Sequence, residues 1–139
     1  MPNFKMSSPG AIGEYQETNF HYALISEVNG RVETSGQGGH HPETLKYDDT
    51  IPLEQEIDRA FEANTFLLES VGLDWSRVIN VFTYHVVEPD GTLSRATQEV
   101  IRQFQKRFPD HKPTWTALGV AALGDPKMRV EVRVVAIRP

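Results

Sequence analysis

The sequence predicts an α+β domain in which a mixed β-sheet carries two helices on one face, in the order ββαβαββ. Three observations lead to this class. Two runs rich in β-branched and aromatic residues flank the dipeptide Asn29-Gly30, which favours a tight hairpin turn. Two other stretches repeat their apolar residues at helical spacing. Because strand-like runs surround each of these stretches, the sheet must contain both parallel and antiparallel neighbours.

The first half of the chain supplies two strands, one long helix and a third strand. The hairpin strands are predicted over 20–28 and 31–37. The helix is predicted from Leu53 to Val71, with Thr50 as its cap, because apolar residues recur there every three or four positions. The run 77–87 is almost continuously apolar, which is typical of a strand covered on both faces.

The second half supplies a helix and two further strands. A helix is predicted from Leu93 to Phe108, with Thr92 as its cap. Strands are predicted over 114–123 and 129–137. The turn signal Gly124-Asp125-Pro126 between them predicts a second hairpin.

Length and composition indicate the class of protein. A chain of 139 residues with 39% hydrophobic residues predicts a single domain over residues 1–139. The net charge of -5 gives no positive field for nucleic acid, so no nucleic-acid partner is expected. The absence of cysteine excludes thiolate nucleophiles and thiolate metal sites. No segment resembles a signal peptide, and no apolar run approaches the roughly 18 residues of a membrane span, so a cytoplasmic protein without membrane contact is expected.

The last predicted strand has two different faces. One face is wholly apolar and would pack under the helices, whereas the other alternates charges before it becomes apolar. Two interpretations remain open for the charged face: a solvated surface with cross-strand ion pairs, or a subunit interface that contains a polar cleft. The apolar face consists of Val130, Val132, Val134 and Ala136, and the other of Arg129, Glu131, Arg133, Val135 and Ile137.

Four segments, in order along nearly the whole chain, carry a family resemblance. They are GAIGEYQ near the start, TSGQ after the hairpin, EQEIDRAFEANTFLLESVGLDWSRVINVFTYHV in the middle and KPTWTALGVAALGDPKMRVEVRVVAI at the end. Together they resemble the YjgF family, also called Rid, the reactive intermediate deaminases. The resemblance implies a chorismate mutase-like fold, a homotrimer with clefts between subunits, and hydrolysis of enamines or imines. It implies no metal and no organic cofactor.

The resemblance also implies the site, with one departure. Where the deaminating branch has an arginine that binds the substrate carboxylate, this chain has Trp115. An indole cannot form that bidentate contact, so less acidic substrates and slow 2-aminoacrylate hydrolysis are expected. The resemblance makes Glu131 a catalytic residue, and places Tyr15, Ser35, Gly36, Gln37, Gly38, Trp115 and Thr116 where a small-molecule substrate binds. Strand alternation adds Arg133 as the second catalytic residue, because it puts Arg133 on the same face as Glu131, where it is expected to pair with Glu131 and hold it ionised, or to bind substrate itself.

The segment SGQGGHHPET, residues 35–44, is rich in glycine and histidine. Its glycines do not lead directly into a helix, which argues against a phosphate-binding loop. Its two adjacent histidines point apart in an extended chain, which argues against a metal site. The glycines are expected to let the backbone approach a ligand closely. His40 and His41 are interpreted either as exposed loop residues or as a titratable lid.

Three functions remain open from the sequence. The first is hydrolysis of a small imine, enamine or related intermediate, with Glu131 orienting water. The second is a pathway-specific reaction in the same cleft, with Trp115 stacking on a larger or aromatic substrate. The third is a non-catalytic protein that binds a small molecule or a partner protein. Neither the substrate nor catalytic activity itself follows from the sequence.

Overall fold

A computed structural model of the chain describes residues 3–139, so the first two residues of the predicted domain lie outside it. The described residues form three helices and seven strands, and a short 3₁₀ turn precedes the fifth strand. The elements are β1 (Phe4–Ser7), α1 (Gly10–Phe20), β2 (Ile25–Val28), β3 (Arg31–Thr34), β4 (Gln37–Gly38), α2 (Leu53–Ser70), β5 (Val78–Val86), α3 (Ser94–Arg107), β6 (Thr114–Val120) and β7 (Val130–Ile137).

All seven strands form one mixed sheet in the order β1-β2-β3-β7-β5-β6. The pair β5–β6 is parallel, whereas the other pairs are antiparallel. The two-residue strand β4 also pairs with β7, beyond the end of β3. The predicted α+β class and the mixed sheet are therefore confirmed.

Local sequence explains the elements that were predicted. Asn29 and Gly30 both have positive φ, 50° and 80°, as the tight turn between β2 and β3 requires. The helices α2 and α3 lie within two residues of their predicted bounds. On β7, Val130, Val132 and Val134 are fully buried, which confirms the helix-facing core.

Three parts of the predicted topology are wrong. Residues 20–24 do not belong to a strand, because α1 continues to Phe20 and β2 begins only at Ile25. The strand β1 and the helix α1 were not predicted, so the fold has three helices rather than two. The strands β6 and β7 do not form a hairpin, because β7 inserts between β3 and β5 and leaves β6 at the edge of the sheet.

A buried polar bridge stops the pairing of β3 and β7 at Glu33. The Thr34 hydroxyl accepts the Val134 N–H at 3.0 Å and donates to Asn64 Oδ1 of α2 at 2.9 Å. The Asn64 amide in turn donates to the Val132 carbonyl at 3.1 Å. Side chains thus replace ladder hydrogen bonds here, and the chain leaves the sheet at Ser35 before it returns as β4.

A second polar group lies in the core below β6. His85 is 1% exposed, and its Nε2 lies 2.8 Å from Thr83 Oγ1. The same oxygen accepts the indole N–H of Trp115 at 3.0 Å. Burial lowers the pKa of His85 to about 4, so the imidazole is neutral near pH 7.

Candidate functional site

A pocket of about 590 Å³ opens beside the start of β7. Its walls come from α1, the segment that follows β3, residues 45–47 and the turn before β7. Because the chain leaves the sheet at Ser35, the segment that follows β3 lies over the face of β7. Of the side chains that the sequence assigned to the site, Tyr15, Gln37 and Glu131 line the pocket, together with Gly36 and Gly38.

Glu131 is the ionisable group on the pocket floor. It lies directly opposite Gly38 in the pairing of β4 with β7, and its side chain is half-buried. Among residues 3–139, no group forms a hydrogen bond or an ion pair with its carboxylate. Burial raises the pKa of Glu131, because a carboxylate loses hydration there without a cationic partner.

The glycines after β3 allow close packing around this carboxylate. A Cβ on Gly36 would overlap the carboxylate of Glu131, and one on Gly38 would lie 2.7 Å from the Tyr47 ring. A Cβ on Gly39 would overlap the Glu56 carbonyl oxygen of α2. These glycines therefore bring the backbone against the chain's own side chains and helix. Their predicted close approach to a ligand stays a prediction.

The two histidines of this segment have different surroundings. His40 is 8% exposed and lines the pocket, where its ring lies edge-on to Tyr47 with centroids 6.1 Å apart. Burial, and then the charge of Arg59, lower the pKa of His40. The interpretation of His40 as an exposed loop residue is therefore wrong. His41 Nδ1 accepts the backbone N–H groups of Glu43 and Thr44 and so stabilises the turn.

Two tyrosines that the sequence analysis did not select also line the pocket. Burial raises the pKa of both Tyr22 and Tyr47, and the negative charge of Glu131 adds to each shift. Both phenols are therefore neutral donors near Glu131. Tyr22 was hidden in a run with strand-like composition, and Tyr47 follows a turn without any motif, so neither had a sequence signal.

The remaining predicted site residues do not line this pocket. The Trp115 ring is half-buried against the core, with its centroid 5.2 Å from that of the Phe104 ring. Thr116 is exposed at the edge of the sheet, and Ser35 Oγ accepts the Gln37 amide at 3.2 Å. Within one chain, the predicted stacking of Trp115 on a pocket ligand therefore has no support.

The arginines near Glu131 have other partners. Arg133 lies 3.6 Å from Glu33 and stacks over the Phe82 ring at 5.0 Å, so it does not pair with Glu131 as predicted. Arg129 was expected on the same face as Glu131. Instead its Nε lies 2.7 Å from the buried carboxylate of Glu56. Arg129 lies before the first residue of β7, so the alternation of side chains along the strand does not apply to it.

The described part of the chain offers neither a metal centre nor a membrane helix. Within residues 3–139, no three His, Asp or Glu side chains converge as a metal site would require. No helix in the same range combines the length and the apolar character needed to cross a bilayer.

The chain matches one protein-family model, and its fold matches that of solved structures. A family model described as Endoribonuclease L-PSP matches residues 7–138. No curated protein matches the chain. Among solved structures, Rv2704 from Mycobacterium tuberculosis, described as a member of the YjgF/YER057c/UK114 family, has a TM-score of 0.74 at 21% identity and covers 97% of this chain and 99% of its own.

Two further structures have the same fold. The yeast protein YEO7 has a TM-score of 0.76 at 18% identity, over 98% of this chain and 99% of its own. TdcF from E. coli, solved with bound serine, has a TM-score of 0.72 at 18% identity, over 85% of this chain and 88% of its own.

Proposed function

Because the chain belongs to the Endoribonuclease L-PSP family, which includes the YjgF/YER057c/UK114 proteins, we propose that it hydrolyses a small imine or enamine. The reaction adds water across the C=N bond and then breaks the C–N bond, which yields a carbonyl compound and ammonia. The reacting carbon would lie in the pocket whose floor is Glu131. Water and the substrate are the only reactants that this hydrolysis consumes.

The observation that carries this proposal is the unpaired, half-buried carboxylate of Glu131. A general base must be free of other partners and must have a pKa near the working pH. Glu131 accepts a proton from water as the water oxygen bonds to the imine carbon, and then passes this proton to the nitrogen, which gives a neutral carbinolamine. In the second half Glu131 moves the hydroxyl proton of the carbinolamine to the nitrogen as the C–N bond breaks, which releases ammonia and leaves the carboxylate ionised again.

The charges around the pocket favour substrates that are less acidic than imino acids. None of the residues that line it is an arginine, and the guanidinium of Arg129 is held by Glu56 and the Ile51 carbonyl. Loss of a bidentate contact to a carboxylate costs about 2–4 kcal/mol, or roughly 30- to 1000-fold in efficiency. We therefore expect poor hydrolysis of 2-aminoacrylate.

The proposal includes a homotrimer with its sites between subunits. The sheet face opposite α2 and α3 carries the half-buried Phe82 and Arg133 and the exposed Leu118, which leaves apolar surface there for a partner subunit. A second candidate function, binding of a small molecule without catalysis, is favoured by the exposed aromatic rings at the pocket mouth. The net charge of -5 gives no support to RNA cleavage.

The test compares the rate of ammonia release from two kinds of imine formed in the assay. A lyase acting on serine supplies 2-aminoacrylate, and a flavin amine oxidase acting on benzylamine supplies a neutral imine. Glu131→Gln should lower hydrolysis of the neutral imine by about 10²- to 10⁴-fold, because the amide cannot accept the proton. Glu69→Gln, at an exposed position of α2, is the matched control. Equal rates for Glu131→Gln and the control would contradict catalysis.

A further inference from the structure

The pocket is lined by an unusual number of rings for a site that would hold a three-carbon imine. Tyr15, Phe20 and Tyr22 are 48%, 61% and 40% exposed, and their rings border the pocket together with those of His40 and Tyr47. Exposed apolar surface of this kind marks a binding site more often than a solvated face. The volume of about 590 Å³ also lies within the roughly 300–1,000 Å³ of sites for drug-sized ligands.

The polar ends of these rings are free to bind a ligand. Within residues 3–139, no hydroxyl of Tyr15, Tyr22 or Tyr47 takes part in a hydrogen bond, although Tyr47 is half-buried. Because these hydroxyls have no partner within the described residues, a ligand that offers them an acceptor gains a hydrogen bond.

The charges that border the pocket balance one another. The lining residues include two cations, Lys46 and Lys127, and two anions, Asp125 and Glu131. None of the lining residues is an arginine, so no guanidinium group is available for a bidentate contact. A carboxylate on the ligand would therefore meet no guanidinium partner, whereas a ring meets the aromatic side chains that line the pocket.

We infer that this pocket selects imines or enamines that carry an aromatic or other planar conjugated group. The planar group stacks against Tyr22 and Tyr47, His40 packs edge-on against the Tyr47 ring, and the reactive carbon lies against Glu131. The position of the reactive carbon rests on the proposed function. The ring-binding role of the pocket does not, because it applies equally to a protein that only binds its ligand.

The test uses four stable ketones, which resemble the hydrolysis products, in a two-by-two design. Acetone has neither group, acetophenone has the ring, pyruvate has the carboxylate, and phenylpyruvate has both. Dissociation constants from NMR titration should improve at least about tenfold when the ring is added, and less than about threefold when the carboxylate is added. A gain from the carboxylate that matches or exceeds the gain from the ring would overturn the inference.

Variants then assign the gain to the pocket. Tyr47→Leu should weaken acetophenone binding at least about fivefold, and His40→Gln, which removes the ring packed edge-on against Tyr47, should also weaken it. Tyr47→Phe, which keeps the ring, should retain most of it. Phe66→Leu and His111→Gln are the matched controls, since neither residue lines the pocket, and they should bind as the wild type does. Equal binding by all these variants would also overturn the inference.

The outcomes separate this inference from the proposed function. Ring-dependent binding without imine hydrolysis would support the ring-binding site and contradict the proposed enzymatic function. Hydrolysis that needs Glu131 but shows no preference for a ring would support the enzymatic function and contradict the ring-binding site.

Discussion

At the scale of single residues, the contact between Gly36 and Glu131 determines the shape of the pocket floor. The carboxylate occupies the space that a Cβ on residue 36 would fill. Gly36 does not have a positive φ, so an alanine there is excluded by the contact alone and not by backbone strain. This separation of causes makes the position suitable for a double-mutant cycle.

We predict that Gly36→Ala destabilises the protein by about 1–3 kcal/mol, because the new methyl group forces Glu131 to move. In a Glu131→Ala background the same change should cost less than about 0.5 kcal/mol. Gly124→Ala is the control, since a Cβ there meets nothing within 4 Å. Urea denaturation measures all of these differences. An equal loss in both backgrounds would show that Glu131 is not the obstacle.

Buried His85 predicts how stability depends on pH. Its pKa is about 4 in the folded protein and about 6.5 when unfolded, so the unfolded chain binds more protons between these values. Stability should therefore fall by about 2–3 kcal/mol from pH 7 to pH 4.5. His40, whose pKa is also lowered, acts in the same direction, and Glu131, whose pKa is raised, acts in the opposite one.

The measurement is urea denaturation at several pH values for the wild type, His85→Gln and His111→Gln. We expect His85→Gln to flatten the dependence on pH and the His111 variant to retain it. A wild-type curve that matches His85→Gln in slope would refute the role of His85.

At the scale of elements, the start of α2 is fixed to the start of β7. The Glu56 carboxylate is 2% exposed, and it accepts both the backbone N–H and the Nε of Arg129 at 2.7 Å. Arg129 also donates to the Ile51 carbonyl at 2.6 Å. These contacts hold the turn before β7, which forms one wall of the pocket.

We predict that Glu56→Ala lowers the free energy of unfolding by about 3 kcal/mol, because it strands a partly buried arginine. Glu54→Ala is the matched control from the same turn of α2. Glu54 forms a bidentate pair with Arg95, but the Arg95 side chain is 57% exposed and that of Glu54 33%, against 2% for Glu56, so the loss should be much smaller. Comparable losses for the two variants, measured by thermal and urea denaturation, would contradict this ranking.

The sequence predicted those elements whose pattern is local. The alternation of β7 and the spacing of α2 identify their buried faces directly, and Asn29-Gly30 specifies its own turn. The helix α1 was missed because it contains two glycines and buries only Ile12 and Gly13, so it has no apolar stripe. Which strand lies beside another in the sheet depends on the whole fold and not on local sequence. The residues before β7 therefore form the predicted turn, although β6 and β7 do not pair as the predicted hairpin.

The site was predictable only in part, for a similar reason. Glu131 and residues 37–38 lie on paired strands whose motifs resemble a known family. Tyr22 and Tyr47 reach the same pocket from segments without a motif, so only the folded chain brings them together. The position of Trp115 against the core depends on the pairing of β5 with β6, which the spacing of residues in the sequence cannot reveal.

At the scale of the whole molecule, the uncovered sheet face predicts self-association. We expect a trimer of about three times the 15.7 kDa of one chain. Leu118→Glu, on that face, should shift the mass towards a monomer in sedimentation or mass photometry. Phe66→Glu is the matched control, because the two side chains are equally exposed, 47% and 46%, but Phe66 lies on α2. A wild-type monomer that persists at high concentration would rule out sites between subunits.

The place of β7 in the middle of the sheet has a consequence for the order of folding. The strands β3 and β5 do not pair with each other, and each is joined to the other only through β7. During synthesis the β1-β2-β3 meander and the β5-α3-β6 unit emerge first, with their inner edges unpaired. The sheet can close only after residue 137 has left the ribosome. Until then these open edges are vulnerable to pairing with other nascent chains, so we expect closure of the sheet to be slowed by its distant contacts.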